Sequence, residues 1–340
     1  MAKTKYGASL SDVATAAGVS PSTVSRYLNA GIKLPAATTA RIDAAIVALR
    51  YTPNPLARSL GRGRSDTIGL VIPEIANPFF AALASAVEQA ADERGQGVLL
   101  SATSNSAARE VAYVDRMLRN RVSGLLFVSG HHDTAELGEA LRNAPSLVLI
   151  DEDVPGIACA KVFCDNEGGG RLAGDYLASL GHRRLAFVGG PRRLRSTAER
   201  LKGLRDAAGA GAGGAQVVME SFGAYSPEFG RQAAAELLQS PERPTAVFIS
   251  SGEIAFGLLE ALQAAGVSVP GELSLIVFDD AGPLHLFNPP LTAIRQPIRE
   301  MGRKAVELAL AEPQAAAGQA ECRLPVELIV RGSVSSPGNR

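Results

Sequence analysis

No stretch of the 340-residue chain approaches the roughly 18 consecutive apolar residues that a membrane helix needs. Lys3 and Lys5 are followed by none of the apolar core of a secretion signal, so a soluble cytoplasmic protein is the expectation. Cysteine is scarce as well: Cys159, Cys164 and Cys322 are too few and too irregularly spaced for a disulfide framework or a zinc site. The marks of several enzyme classes are missing, with no P-loop, no G-x-S-x-G elbow and no H-E-x-x-H pair. The run from Gly209 to Gly214 matches G-x-G-x-x-G formally, but it follows a helical stretch and precedes a strand near Val217. A dinucleotide site requires the reverse order. His131 and His132 have no cysteine or carboxylate at metal-ligand spacing. No catalytic residue, metal ligand or cofactor is expected, and the chain does not read as an enzyme.

What is present falls into two parts. At about 150 residues per domain the length predicts two or three folding units, and 46% hydrophobic with 20% charged residues fits globular domains with large cores. The 34 basic and 34 acidic side chains cancel, but unevenly along the chain. Up to residue 64 there are nine basic residues against only Asp12 and Asp43, a net of +7, so the remainder carries −7. A basic arm on an acidic body suggests nucleic-acid contact at one end, although a solvated basic surface has the same charge.

Ser9 and Asp12 have the spacing of a capping box, which predicts a helix running to about Ala17. Gly18 tolerates the left-handed turn that ends it. Ser20 as N-cap and Pro21 at the first helical position open a second helix over 21–28. Val13, Ala14, Ala17, Val24 and Leu28 then form a shared core, with Ser22, Ser25, Arg26 and Asn29 facing outward. Ile42, Ile46 and Leu49 signal a third helix over 36–50. Two helices joined by a tight glycine turn, the second exposing arginine and small polar groups, suit the DNA major groove, where arginine bonds guanine bidentately. An ordinary helical hairpin satisfies the same spacing.

Asn54 and Pro55 open fewer than two helical turns before Gly61, too short for stability alone. One reading is a linker that becomes helical on docking with a twin helix and with DNA. Leu60 is then an apolar wedge for a minor-groove base step, with Arg58, Arg62 and Arg64 near phosphates. The other reading is a flexible basic linker.

The string SLSDVATAAGVSPSTVSRYLN at 9–29, with YTPNPLARSL at 51–60 and Ile68-Gly69, closely resembles the lactose-repressor/galactose-repressor family of bacterial transcription regulators. The likeness continues over nearly the whole chain. Carried over by position, it implies that Pro21, Ser22 and Arg26 read bases, Asn29 contacts a phosphate and Leu60 is pushed between base pairs. Pro21 departs in character: its ring has no donor, so Ser22 and Arg26 supply the polar readout.

From residue 66 onward short β-branched or Leu-rich runs alternate with amphipathic stretches, the pattern of parallel sheets wrapped by helices. Strands are predicted over 68–72, 98–101, 125–128, 147–150, 185–188, 217–219, 246–249 and 275–278, and helices over 78–94, 107–119, 167–180, 197–208, 227–239, 253–265 and 297–310. Eight strands exceed one comfortable lobe. Ligands of such sheets bind beyond the carboxyl ends of the strands. Those ends carry Phe79 and Phe80, Asp151 and Glu152, Arg200, Tyr225, Ser250 and Ser251, and Asp279 and Asp280. Aromatic faces alternating with carboxylates and an arginine suit a polyhydroxylated ring. Adjacent carboxylates on extended backbone point to opposite sides, so Asp279 and Asp280 do not form a catalytic pair.

The resemblance implies an all-α helix-turn-helix head on an α/β body like a periplasmic sugar-binding protein, of two doubly wound parallel-sheet lobes. It implies effector contacts from Phe79, Phe80, Asp151, Arg200, Tyr225, Asp279 and Gln296. Two departures, Ser251-Gly252 for a common Asn-Asp and Asp151-Glu152 for a common Asp-Arg, weigh against ribose. Arg192, Arg193 and Arg195 serve either an anionic effector or only a charged loop. The expected organisation is a DNA-binding domain over 1–50, a hinge helix and linker over 51–65, and an effector-binding and dimerisation domain over 66–340. The expected function is a transcriptional repressor, a homodimer on palindromic operator DNA, controlled by a sugar, sugar acid or sugar phosphate. A tail without heptads predicts no coiled-coil tetramer. The competing reading is a sugar receptor or enzyme with no DNA-binding role.

Overall fold

The structure, a computed structural model, describes residues 8–28, 32–52, 65–130, 134–210, 214–311 and 321–338. The chain divides into two compact units, Met1–Asp66 and Thr67–Arg340. In the first, α1 (Leu10–Ala17), α2 (Pro21–Leu28) and α3 (Ala36–Ala48) surround a core of Val13, Ala14, Ala17, Val24, Ile42, Ala45 and Tyr51. The capping box is formed, with Asp12 N–H donating to Ser9 Oγ at 3.2 Å and Ser9 N–H to Asp12 Oδ2 at 2.8 Å. Gly18 closes α1 in the left-handed conformation at φ 61°. Tyr27 on α2 donates its hydroxyl to Asp43 on α3 at 2.9 Å. Asp12 and Asp43, the two acidic residues before residue 65, are thus spent on holding helices.

The second unit holds two lobes of one topology. The N-terminal lobe has sheet order β11-β5-β4-β3-β1-β2, from β1 (Thr67–Ile72), β2 (Gly97–Ala102), β3 (Gly124–Phe127), β4 (Leu147–Ile150), β5 (Ala160–Cys164) and β11 (Glu321–Leu324). The C-terminal lobe repeats it as β12-β10-β9-β8-β6-β7, from β6 (Arg184–Gly189), β7 (Gln216–Phe222), β8 (Ala246–Ile249), β9 (Ser274–Phe278), β10 (Thr292–Arg295) and β12 (Glu327–Ile329). Helices α4 (Pro78–Asp92), α5 (Ala107–Arg119), α6 (Ala135–Arg142) and α11 (Ile298–Leu310) belong to the first lobe. Helices α7 (Asn166–Ser179), α8 (Arg195–Ala210), α9 (Pro227–Gln239) and α10 (Gly252–Ala264) belong to the second. The chain crosses between lobes after β5, after β10 and after β11.

All eight predicted strands are present, but the described residues hold twelve, with one helix, α6, also unforeseen. The four additional strands are three to five residues long; β11 alternates exposed with half-buried positions, and no position of β12 is fully buried. Edge strands of that length carry no hydrophobic run, because the neighbouring strand supplies their stability. The sheets are also not wholly parallel: β12 pairs antiparallel with β10.

Helix α8 carries Arg200, and its distance from α7 is set by glycine. A Cβ on Gly203 would stand 1.9 Å from the Glu167 carbonyl oxygen, and one on Gly170 2.1 Å from that of Arg200. Gly203→Ala should therefore force α8 away from α7 and destabilise the body by about 1–3 kcal/mol. Thermal unfolding checks this; an unchanged midpoint would contradict the close packing.

Candidate functional site

On the head, Pro21, Ser22 and Arg26 are all exposed on α2, with Ser25 half-buried beside them. Ser22 and Arg26 lie four residues apart and so share one helix face. Ser20 Oγ accepts from the Thr23 N–H at 3.2 Å and sits 2.8 Å from Ser22 Oγ, which fixes the start of that face. Asn29 and Leu60 lie outside the described residues.

In the body, the carboxyl ends of strands from both sheets meet around a cavity of about 410 Å³, within the range of small-molecule sites. All seven residues expected to contact an effector line it. Asn77 caps α4 by accepting from Phe79 N–H at 2.9 Å and so aims Phe79 and Phe80 at this space. Their rings meet edge to face at 5.2 Å; Phe79 is also part of the core, whereas Phe80 is half-buried. Tyr225 follows β7, its ring packed flat on Gly190, where a Cβ would approach to 2.1 Å. Its hydroxyl lies 2.9 Å from Thr197 Oγ1.

Asp151 and Asp279 occupy equivalent places, directly after the fourth strand of each lobe, and both have left-handed backbone, φ 65° and 81°. Aspartate tolerates this region better than most residues, and such conformations gather at binding sites. Between them Arg200, 3% exposed, donates from Nε to Asn166 Oδ1 at 2.8 Å and from Nη1 to the Ser250 carbonyl at 2.6 Å. Its guanidinium lies 3.6 Å from the centroid of the Phe278 ring. Gln296 donates its amide to Asp279 Oδ1, which leaves Gln296 Oε1 buried with no hydrogen-bond partner. Asp151 Oδ1 is likewise buried and unpartnered. Two residues of the cavity wall thus each hold a buried acceptor without a donor.

Burial pushes the Asp151 carboxyl up from 3.8 to about 6; Arg200 pulls it down and Asp279 adds to the rise. Asp151 thus holds its proton more tightly folded than unfolded, so its contribution to stability is complete below about pH 4 and lost as pH rises through 6. Asp151→Asn should gain stability relative to the natural chain between about pH 4 and pH 6 and run parallel above it. A gap in unfolding midpoints that stays constant over this window would contradict the burial of the Asp151 carboxyl.

Asp280 points the other way. It accepts from Arg331 Nη1 and Nη2 at 2.8 and 2.9 Å and from Arg295 Nη2 at 2.7 Å, fastening the segment after β12 to β10. Despite partial burial, these arginines hold its carboxyl below the ordinary range. The contribution is therefore present at neutral pH and lost on acidification. Asp280→Asn should lower the unfolding midpoint yet leave ligand response intact; loss of response would place Asp280 in the cavity wall.

The arginines of the β6–α8 loop divide. Arg192 stacks 4.2 Å from the Phe222 ring centroid, Arg193 lines the cavity, and Arg195, far from a loose loop charge, is bonded to Glu199 and Glu321 at 2.7 and 3.0 Å. Sequence reasoning missed Asn166 and Ser196. Asn166 follows β5, which was not foreseen, so its place at a strand end was hidden.

A helix-turn-helix head joined to a two-lobed α/β body with a cleft cavity defines the class of DNA-binding regulatory proteins. Comparison with known proteins agrees: residues 9–54 match the model for bacterial regulatory proteins of the lacI family, and 175–334 a periplasmic binding protein-like domain. The transcriptional regulator GalR of Escherichia coli (strain K12) is 34% identical over 304 residues, 89% of each chain. The transcriptional repressor CytR of the same organism is 32% identical over 332 residues, 97% of each. Among solved structures, the lac repressor dimer bound to operator and an anti-inducer superposes with TM-score 0.85 at 29% identity over 97% of this chain and 100% of that one. A complex of the transcriptional regulator CelR with cellobiose gives 0.72 at 31% identity over 96% and 99%. The chain belongs to the lacI family of bacterial regulatory proteins. It is a DNA-binding transcriptional regulator, not an enzyme. Among the described residues no helix is long and apolar enough to cross a membrane.

Proposed function

We propose that the protein is a cytoplasmic repressor, a homodimer on a palindromic operator, released or tightened by an uncharged sugar bound in the body cavity. The observation that carries this reading is the cavity lining. Acids outnumber bases there: Glu74, Asp151, Glu152 and Asp279 stand against Arg193 and Arg200. Arg200 is already spent on Asn166, Ser250 and Phe278. Two buried acceptors await donors. Hydroxyl groups provide donors without adding negative charge, and aromatic faces stack on sugar C–H groups. Sugar acids and sugar phosphates fit this lining less well. Pro21, Ser22 and Arg26 read bases, and Asn29 and Leu60 keep the phosphate and wedge roles that the family resemblance implies. Residues 51–65 are the hinge between a DNA-binding domain at 1–50 and an effector domain at 66–340. Effector binding alters how the two hinges pair, and operator DNA must change effector affinity by the same factor.

Thermal-shift screening of neutral sugars, sugar acids and sugar phosphates tests the effector. A neutral sugar should raise the unfolding midpoint most. Stabilisation by phosphates or acids alone would overturn the uncharged reading, and no stabilisation by any of the three classes would overturn the carbohydrate reading.

A further inference from the structure

Helix α8 begins without a cap of its own. The residue before it, Leu194, has no acceptor, whereas α4, α6, α7, α9 and α10 each begin at an Asn, Thr, Asp or Ser whose side chain accepts a backbone N–H. The missing acceptor comes from the opposite lobe. Glu152, after β4 in the N-terminal lobe and 4% exposed, accepts from the Arg195 N–H at 3.0 Å with Oε2. Its Oε1 accepts from the Ser196 N–H at 3.2 Å and from the Ser196 hydroxyl. The first N–H groups of a helix lack intrahelical partners and carry the positive end of its dipole, so they bind the carboxyl oxygens of Glu152, even as burial and then Asp151 push that carboxyl up to about 8.

A second layer crosses the same seam. Arg195 bonds Glu321 of β11 at 3.0 Å, and Arg323 of β11 bonds Glu199 of α8 at 3.1 Å. These pairs are partly exposed and contribute little alone. Glu152 is the buried one, and its bond to Ser196 continues to the cavity wall, where Ser196 Oγ and Thr197 Oγ1 lie 3.4 and 2.9 Å from the Tyr225 hydroxyl.

We propose that Glu152 is a positioning residue that clamps the two lobes together: it caps α8 from across the cleft, fixes the wall that Tyr225 belongs to, and holds the cavity closed before any ligand arrives. Its value for ligand binding rests on the reading of the cavity as a binding site, but the clamp itself is tested without ligand.

The test is hydrogen exchange on the full unliganded chain, comparing the natural protein with Glu152→Ala and Glu152→Gln. In Glu152→Ala, exchange should rise at least tenfold at residues 195–197 and also across the cleft at residues 73–80, with the rest of α8 little changed. Glu152→Gln keeps one acceptor and should restore protection at 73–80 at least in part; it also carries the comparison if the alanine variant does not fold. Acceleration confined to 195–197 would make Glu152 a local cap and overturn the clamp, as would no acceleration at either segment. Either failure leaves the proposed sugar site to be judged by the thermal-shift screen.

Discussion

Replacing Arg200 with alanine should abolish the response of DNA binding to any cavity ligand while leaving operator binding in place. Arg200 is the buried cation between Asp151 and Asp279, one from each lobe, and it bonds Asn166 and the Ser250 carbonyl as well. Its removal leaves Asn166 Oδ1 and the Ser250 carbonyl without their buried donor, at about 1–3 kcal/mol each, and takes away the charge that pulls the Asp151 and Asp279 carboxyls down. The body should therefore unfold at a markedly lower temperature at neutral pH. Part of that loss should return on acidification, as the two carboxylates take up protons. Lysine at this position keeps the charge but not the planar fork, so Arg200→Lys should recover stability more than ligand response. Equilibrium DNA titrations with and without the sugar found by thermal shift check the claim. A fully responsive Arg200→Ala variant would remove this residue from the coupling.

The second large effect is on the head. Arg26 is exposed on the same face of α2 as Ser22 and forms no ion pair among the described residues, while Asp12 and Asp43 are occupied by Ser9 and Tyr27. Arg26→Ala should weaken operator binding by about 1–3 kcal/mol, roughly five- to 150-fold, and relax the preference at one base pair of each half-site. A loss equal on operator and random DNA would reduce Arg26 to a phosphate contact.

The head was legible almost residue by residue. Its signals are local: Ser9 with Asp12, Gly18, then Ser20 with Pro21 are caps and turns whose geometry depends on neighbours in sequence. Eight strands were equally plain: β1, β3, β4, β6, β8 and β9 are buried and read as apolar runs, and the edge strands β2 and β7 still carry β-branched or Leu-rich runs. The edge strands β11 and β12 and the internal strands β5 and β10 were not, because polar residues break their apolar runs: Lys161 in β5, Thr292 and Arg295 at the ends of β10, Glu321 and Arg323 in β11, Glu327 in β12. The cavity was half legible. Its seven expected effector contacts, with Glu152, Arg193 and Ser251, were named through strand-end chemistry, loop charge and family resemblance, yet their relations were invisible. Nothing in the order Asp151-Glu152 tells that the first faces Arg200 and the second caps a helix on the far lobe. Gly170 and Gly203 look like ordinary glycines in a helix, where they cost stability. Only the α7–α8 contact gives the reason for them.

The most direct test is an anisotropy titration of the full chain against the DNA upstream of its own gene, across a range of salt, with and without the cavity ligand. Binding should be tight at low ionic strength and fall steeply and linearly in log–log form as salt rises, because phosphate contacts release counterions. The ligand should shift the whole line by one factor, and Arg200→Ala should erase that shift without moving the line itself. Failure to bind at low salt, or binding indifferent to both salt and ligand, would contradict a basic head governed by a ligand-holding body.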